Sequence, residues 1–215
     1  ERTHDVTMTV AKNVSTQNRS CTITCYADDK ITVVGEMKLV QLANDKDLSK
    51  DMVLKVRANF ANDFTCILPI KDGYYTNASG SIQLAVVDCY VDWGDGIVEH
   101  IKSDINNIGM MESELPQVIH RYEGLTEPKT FEVRISGLVE IMSVNRDMTD
   151  FNPAQSSITE VVQWGNLGVK DMTFAFYNNV TLKKIPSDRM YSFSEVESFS
   201  NAFANCTSLE EIPEN

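Results

Sequence analysis

The stretch 170–188, KDMTFAFYNNVTLKKIPSD, returns at 197–215 as ESFSNAFANCTSLEEIPEN, every position shifted by the same step and without a gap. Ala175 falls on Ala202, Phe176 on Phe203, Asn178 on Asn205, Leu182 on Leu209, Ile185 on Ile212 and Pro186 on Pro213. One further step back from Ile185 reaches Ile158, in SITEVVQW (157–164), which reads as an earlier and more divergent unit. A fixed period of this size marks an architecture of stacked units.

Each unit has two apolar parts. Met172, Ala175 and Phe176 recur at i, i+3, i+4, as do Phe199, Ala202 and Phe203, the spacing of one face of a helical turn. The Leu-x-x-Ile-Pro part is too short for a helix and suits a short strand ended by proline, which cannot donate to a continuing ladder. One unit cannot bury both parts alone, so neighbours must stack. Stacking in register brings Lys183 beside Glu210 and Lys184 beside Glu211, opposite charges that favour this register over a slipped one. The alternative is that the two pairs are separately solvated.

These residues, Ala175-Phe176-x-Asn178 and Ala202-Phe203-x-Asn205-Cys206-x-x-Leu209-x-x-Ile212-Pro213, resemble the repeat of BspA-type bacterial leucine-rich-repeat proteins. The lead-in Ile158-Thr-Glu-Val-Val-Gln163-Trp164-Gly165 is similar to that of a subfamily once known only as a domain of unknown function. The resemblance covers roughly 156–215 and implies a cell-surface or secreted protein associated with adhesion. Asn179 stands at the place of Cys206, which implies a small buried or ladder-bonded slot there and no disulfide or metal site.

The rest of the chain reads as β. Alternation marks strands at Val6–Val10, Cys21–Cys25 and from Ile31, with polar connectors at 13–20 and 44–51. Further strands are expected over 53–60, 64–70, 82–91 and 130–136, with a loop over 71–81. In the last of these strands Phe131, Val133 and Ile135 face one side, and Thr130, Glu132, Arg134 and Ser136 the other. Asp92-Trp93-Gly94-Asp95-Gly96, then His120-x-Tyr122, then the Phe131 strand, resembles a PKD-like immunoglobulin-type sandwich. The resemblance implies that Trp93 anchors a core, that Gly94-Asp95-Gly96 makes the turn, and that His120 and Tyr122 pack or hydrogen-bond against it. A long segment between Ile97 and Gln117 departs from that pattern, and 106–111 suggests a protruding loop.

The expected fold is therefore mainly β: an immunoglobulin/PKD-like antiparallel sandwich, then a short leucine-rich-repeat solenoid with short helical turns. The expected division is an N-terminal β region over 1–50, separate or part of the sandwich, the sandwich over 51–142 and the solenoid over 143–215. No polar capping unit follows Pro213, so either the natural chain continues or an oligomer covers that end.

Chemistry narrows the function classes. A net charge of −12 and a pI near 4.6 argue against nucleic acid and anionic membrane as partners. No apolar run of some 18 residues spans a membrane. The chain does not begin with Met, and the simplest account is an exported protein whose signal sequence has been removed. Five cysteines occur: Cys21, Cys25, Cys66, Cys89 and Cys206. Cys21 and Cys25 on one strand stand about 13 Å apart, too far for a disulfide. Cys66 with Cys89 is geometrically feasible, and free buried cysteines are the alternative. No zinc pattern, nucleophile elbow, phosphate loop or dinucleotide fingerprint occurs, so the expectation is no enzyme and no cofactor.

Asp92 and Asp95 suggest either a calcium loop or a structural turn; two carboxylates are too few for calcium, which favours the turn. Trp164 and Tyr191 lie one repeat step apart and are the candidate ligand-facing pair, an aromatic stripe for sugar or peptide. The competing reading, that both plug the core, is preferred. The expected function is non-catalytic binding or adhesion to an extracellular protein or glycan, the alternative an accessory carbohydrate-binding module of a glycan-uptake system.

Overall fold

In the computed structural model the described residues are 19–26, 33–41, 50–77, 79–104, 116–144, 154–188 and 192–213. The chain divides into two compact units, 1–48 and 49–215. The first contains the antiparallel pair β1 (Arg19–Tyr26) and β2 (Val33–Gln41), with Cys21 opposite Leu39 and a bulge at Cys25/Tyr26. The strand expected at Val6–Val10, the start of the one at Ile31 and the loop at 106–111 lie outside the described residues.

The second unit is built on β3 (Met52–Ala58), β4 (Thr65–Leu68), β5 (Gly73–Thr76), β6 (Ile82–Ala85), β7 (Val87–Asp92), β8 (Val98–Lys102), β9 (Val118–Arg121), β10 (Lys129–Val139) and β11 (Ile158–Gln163). Five strands form one antiparallel sheet in the order β11-β3-β10-β7-β8; β4 pairs with β9 and β5 with β6. The protein is mainly β with antiparallel sheets, and no α-helix occurs among the described residues. Strand β10 shows why: Phe131, Val133 and Ile135 are buried while Glu132 and Thr130 are exposed, the period of two that the sequence carries. These side chains share one apolar cluster with Leu54 and Val56 of β3, Val91 of β7, and Cys66 and Leu68 of β4. Each fully buried aliphatic or aromatic group in it is worth about 1.5–3 kcal/mol.

Three expectations change. The strand expected over 53–60 stops at Ala58, because the Asn59 side chain accepts from the N–H groups of Ala61 and Asn62 and caps a 3-10 turn at Phe60–Asn62. The strand expected over 82–91 breaks at Val86, whose N–H donates to the Glu140 carboxylate at 2.8 Å. The loop expected over 71–81 contains β5, which pairs with β6 in a hairpin.

The repeated segments stack, but without helical turns or regular strands. Over 172–178 and 199–205 the backbone makes successive turns, with Ala175 N–H bonded to Met172 O and Ala202 N–H to Phe199 O, each at 3.0 Å. Left-handed φ values at Phe174 (61°) and Asn178 (60°) return at the equivalent places of the next unit, Asn201 (53°) and Asn205 (61°), and such residues interrupt an α-helix. The alternate N–H groups of Met172, Phe174, Phe176 and Asn178 donate across to the carbonyls of Ser198, Ser200, Ala202 and Ala204. The Leu-x-x-Ile-Pro parts contribute single parallel bridges rather than strands: Glu160 pairs with Lys184 and Lys184 with Glu211. A second column runs Ile141, Asp171, Ser198. Phe176 stacks on Phe203 with centroids 5.5 Å apart and planes 3° apart, and Asn205 Nδ2 donates to Asn178 Oδ1 at 2.8 Å. Asn179 is buried, and at the equivalent place Cys206 Sγ donates to Phe176 O at 3.0 Å.

Strand β11 joins the two parts: one edge pairs with β3, the other bridges to Lys184. Gly165, just beyond it, has φ +72°, and a Cβ there would meet Met52 N at 2.4 Å, so only glycine permits this approach. At the second column, the largely buried Glu140 holds Lys170 Nζ at 2.6 Å through one carboxylate oxygen and Val86 N–H through the other. Glu140→Ala leaves both donors without that acceptor and is expected to cost about 2–3 kcal/mol, read as a lower urea midpoint at unchanged slope.

Candidate functional site

The seven residues singled out around the turn meet in one cluster. Strand β7 delivers Asp92, whose Oδ1 accepts from Gly94 N–H at 2.9 Å, and Trp93 N–H donates to Ile97 O at 3.0 Å. Gly94 has φ +77°, and a Cβ there would lie 2.5 Å from Glu132 O. Gly96 also has positive φ, +99°, which closes the turn. Asp95 Oδ1 accepts from Ile97 N–H at 3.0 Å, while Oδ2 meets His120 Nε2 at 2.8 Å. The His120 ring stacks on the fully buried Trp93 at 4.5 Å and 13°, and Tyr122 meets it edge-on. Tyr122 OH donates to Trp93 O at 3.2 Å, and its ring stacks on Phe131 at 3.9 Å.

This is a latch between β7 and β9, strands of different sheets. Both carboxylates are spent within it: Asp92 on Gly94, Asp95 on Ile97 and His120. Among the described residues no group of three or more His, Cys, Asp and Glu side chains is placed to hold a metal ion. Burial pushes the Asp95 carboxyl up, but the hydrogen bonds from Ile97 and His120 outweigh it and hold the group below its ordinary value of 3.8. Burial drives the Tyr122 phenol up, and the Cys66 and Cys89 thiols up to about 12 each. Cys66, Cys89 and Cys206 are free thiols, so the disulfide considered between Cys66 and Cys89 is not formed.

Trp164 is turned inward, against the ligand-facing assignment. It is 7 % exposed, its indole N–H donates to Pro186 O at 2.8 Å, and its edges meet Phe176, Phe193 and Phe203. Tyr191 lies outside the described residues. What surrounds Trp164 is a groove of about 590 Å³, walled by Val162, Gln163, Lys184, Pro186, Glu211 and Pro213. Successive turns supply equivalent wall positions, since Pro186 and Pro213 occupy the same place in consecutive units. No family model, curated protein or solved structure matches this chain.

One exposed cluster escaped the sequence reading. Tyr90 of β7 stacks on His100 of β8 at 4.1 Å and 11°, and Asp88 Oδ1 lies 2.6 Å from His100 Nε2. That hydrogen bond lowers the Asp88 carboxyl, against a smaller opposing effect of burial. The signal was present as alternation, Asp88-x-Tyr90-x-Asp92 facing Val98-x-His100-x-Lys102, but only the strand register brings the two rings together. No helix among the described residues is long and apolar enough to cross a membrane.

The latch has a pH signature. A carboxyl lowered by folding adds stability above its ordinary pKa and loses it as pH falls through the folded value. Asp95→Asn is therefore expected to lower the urea midpoint at pH 7, and the gap from the unsubstituted protein should narrow below pH 3.8, as Asp95 protonates. Parallel loss at both pH values would show that Asp95 acts through packing alone.

Proposed function

We propose that this chain is a non-catalytic binding protein of the bacterial cell surface or secreted space, taking an extracellular protein or glycan as ligand. In this reading the β region over 51–142 is a PKD-like sandwich. The part over 143–215 is a leucine-rich-repeat solenoid for which the sandwich supplies the cover of the first turn, and 1–50 is an N-terminal β region. The observation that carries the reading is the column of parallel bridges, Glu160 to Lys184 and then, at the repeat step, Lys184 to Glu211, with Phe176 stacked on Phe203. Stacked repeats generate extended, repetitive surfaces suited to ligand contact. The groove beside Trp164 is such a surface, because each turn adds one set of wall residues.

The test is an array of extracellular-matrix proteins, mucins and glycans probed with the full chain. Val162→Asp, on the groove wall and 37 % exposed, is expected to weaken binding at least tenfold with an unchanged melting curve. Binding unaffected by Val162→Asp would move the ligand off the groove, and an array without any hit would defeat the reading.

The accessory carbohydrate-binding alternative draws on a different observation, the exposed Tyr90–His100 ring pair, since aromatic faces are what sugars stack on. On the same array it predicts hits confined to glycans and abolished by Tyr90→Ala.

A further inference from the structure

Asp88, His100 and Tyr90 make a chain of contacts on the outer side of the β7–β8 pair, away from the apolar cluster. Asp88 Oδ1 lies 2.6 Å from His100 Nε2, and the His100 ring covers one face of Tyr90 at 4.1 Å and 11°. The strand register sets His100 of β8 on one side of Tyr90 and Ser136 of β10 on the other. Because the two rings are parallel and stand on neighbouring strands, the second face of Tyr90 is turned towards β10, over the small Ser136 side chain. Tyr90 is 43 % exposed even with one face covered. A ring held in one orientation before a ligand arrives lowers the entropy cost of binding. Polar groups of both kinds border the free face. Two positions along the same strands, Asp92 lies opposite Arg134, and no ion pair joins them. Asp92 Oδ1 accepts from Gly94 N–H and Arg134 Nη2 donates to Glu132. Among the described residues this leaves Asp92 Oδ2, further N–H groups of Arg134 and the Ser136 hydroxyl without a protein partner.

We propose that the free face of Tyr90 binds a neutral hexopyranose, with one C–H face of the sugar on the ring and its hydroxyls on Asp92, Arg134 and Ser136. The proposal rests on the carbohydrate alternative above and adds where the sugar sits and which sugars fit. A pyranose has a flat C–H face edged by hydroxyls that both donate and accept. It therefore needs an aromatic face bordered by an acceptor and a donor together. Here the Asp92 carboxylate takes hydroxyl protons, and the Arg134 guanidinium donates to hydroxyl oxygens. A nucleobase stacks on tyrosine equally well, but a chain of net charge −12 repels its phosphates, as it repels the carboxylate of an acidic sugar. An aromatic side chain of a peptide offers a ring for the stack but at most one hydroxyl for the polar border.

Saturation-transfer-difference NMR on the full chain tests this. The probes are methyl β-D-glucopyranoside, methyl β-D-galactopyranoside and sodium D-glucuronate, each at about 10 mM, enough to populate a millimolar complex. Transfer to the ring C–H protons of at least one neutral glycoside is expected, and none to glucuronate. Tyr90→Ala, and independently Ser136→Phe, which fills the space beside the free ring face, should each weaken binding about tenfold with an unchanged melting curve. Arg134→Ala should weaken it as well, while Tyr90→Phe keeps the stack and the binding. No transfer to either neutral glycoside overturns the proposal, as does stronger transfer to glucuronate or neutral binding that survives both Tyr90→Ala and Ser136→Phe. Glycan hits on the array that persist in both variants overturn this site and leave the carbohydrate reading standing, whereas an array without glycan hits defeats both.

Discussion

The second unit depends on a row of alternating charges that crosses its sheet. Glu132 of β10 lies opposite Lys55 of β3, Lys55 opposite Glu160 of β11, Glu160 opposite Lys184, and Lys184 opposite Glu211. Lys55 Nζ and Glu160 Oε2 are 2.6 Å apart. An exposed pair of this kind is worth only about 0–1 kcal/mol, so the row contributes little to total stability. Its effect is on register. A slip of one residue along any strand would turn its inward apolar side chains outward, and a two-residue slip of β10 on β3 would set Glu132 against Val53 or, in the other direction, Lys55 against Arg134. The first slip is opposed by burial of groups such as Leu54 and Val161, the second by the row. Strand β11 relies on this burial, because its pairing with β3 joins residues more than a hundred positions apart and has bulges on either side of Glu160 and Val161.

With β11 fixed, the turns that follow have an edge to build on. Each turn has little structure of its own: hydrogen bonds spanning three residues and a few left-handed residues. Alternate backbone N–H groups of one turn donate to carbonyls of the next, and its aromatic rings pack on Trp164 and on each other. Trp164 is thus the hub of the apolar column. The indole sits where β11 ends, and its N–H is held by Pro186, the residue that closes the following Leu-x-x-Ile-Pro part.

Much of this was legible in the sequence, for identifiable reasons. The constant repeat offset placed Phe176 over Phe203 and Lys184 beside Glu211 because stacked units meet at equivalent residues. The Trp93–His120–Tyr122 cluster was expected from the resemblance to a PKD-like sandwich, and its turn has a physical ground: at Gly94 a side chain would strike the β10 backbone. Other features were hidden. Phe174 gives no sign that it adopts a left-handed backbone; the ladder to Ser200 imposes it. Apolar spacing at i, i+3, i+4 fits a helical turn and a chain of tight turns equally well. Strand β5 was missed because Gly73 and Asn77 bracket only three side chains, and it is the pairing with β6 that makes them a strand. For Trp164 the sequence left two readings, because a tryptophan that stacks on a ligand and one that fills a core look alike, and the preferred core-filling one matches its 7 % exposure.

Sharing one hydrogen-bonded sheet between the β3–β10 region and the stacked turns has a mechanical meaning. Tension applied at the last turn passes through the Lys184 bridge into β11 and from there sideways into β3, with Lys170 and Glu140 forming a second strut. A pull on the turns therefore falls on the same sheet that carries the Trp93 latch, through β11, β3, β10 and β7 in turn.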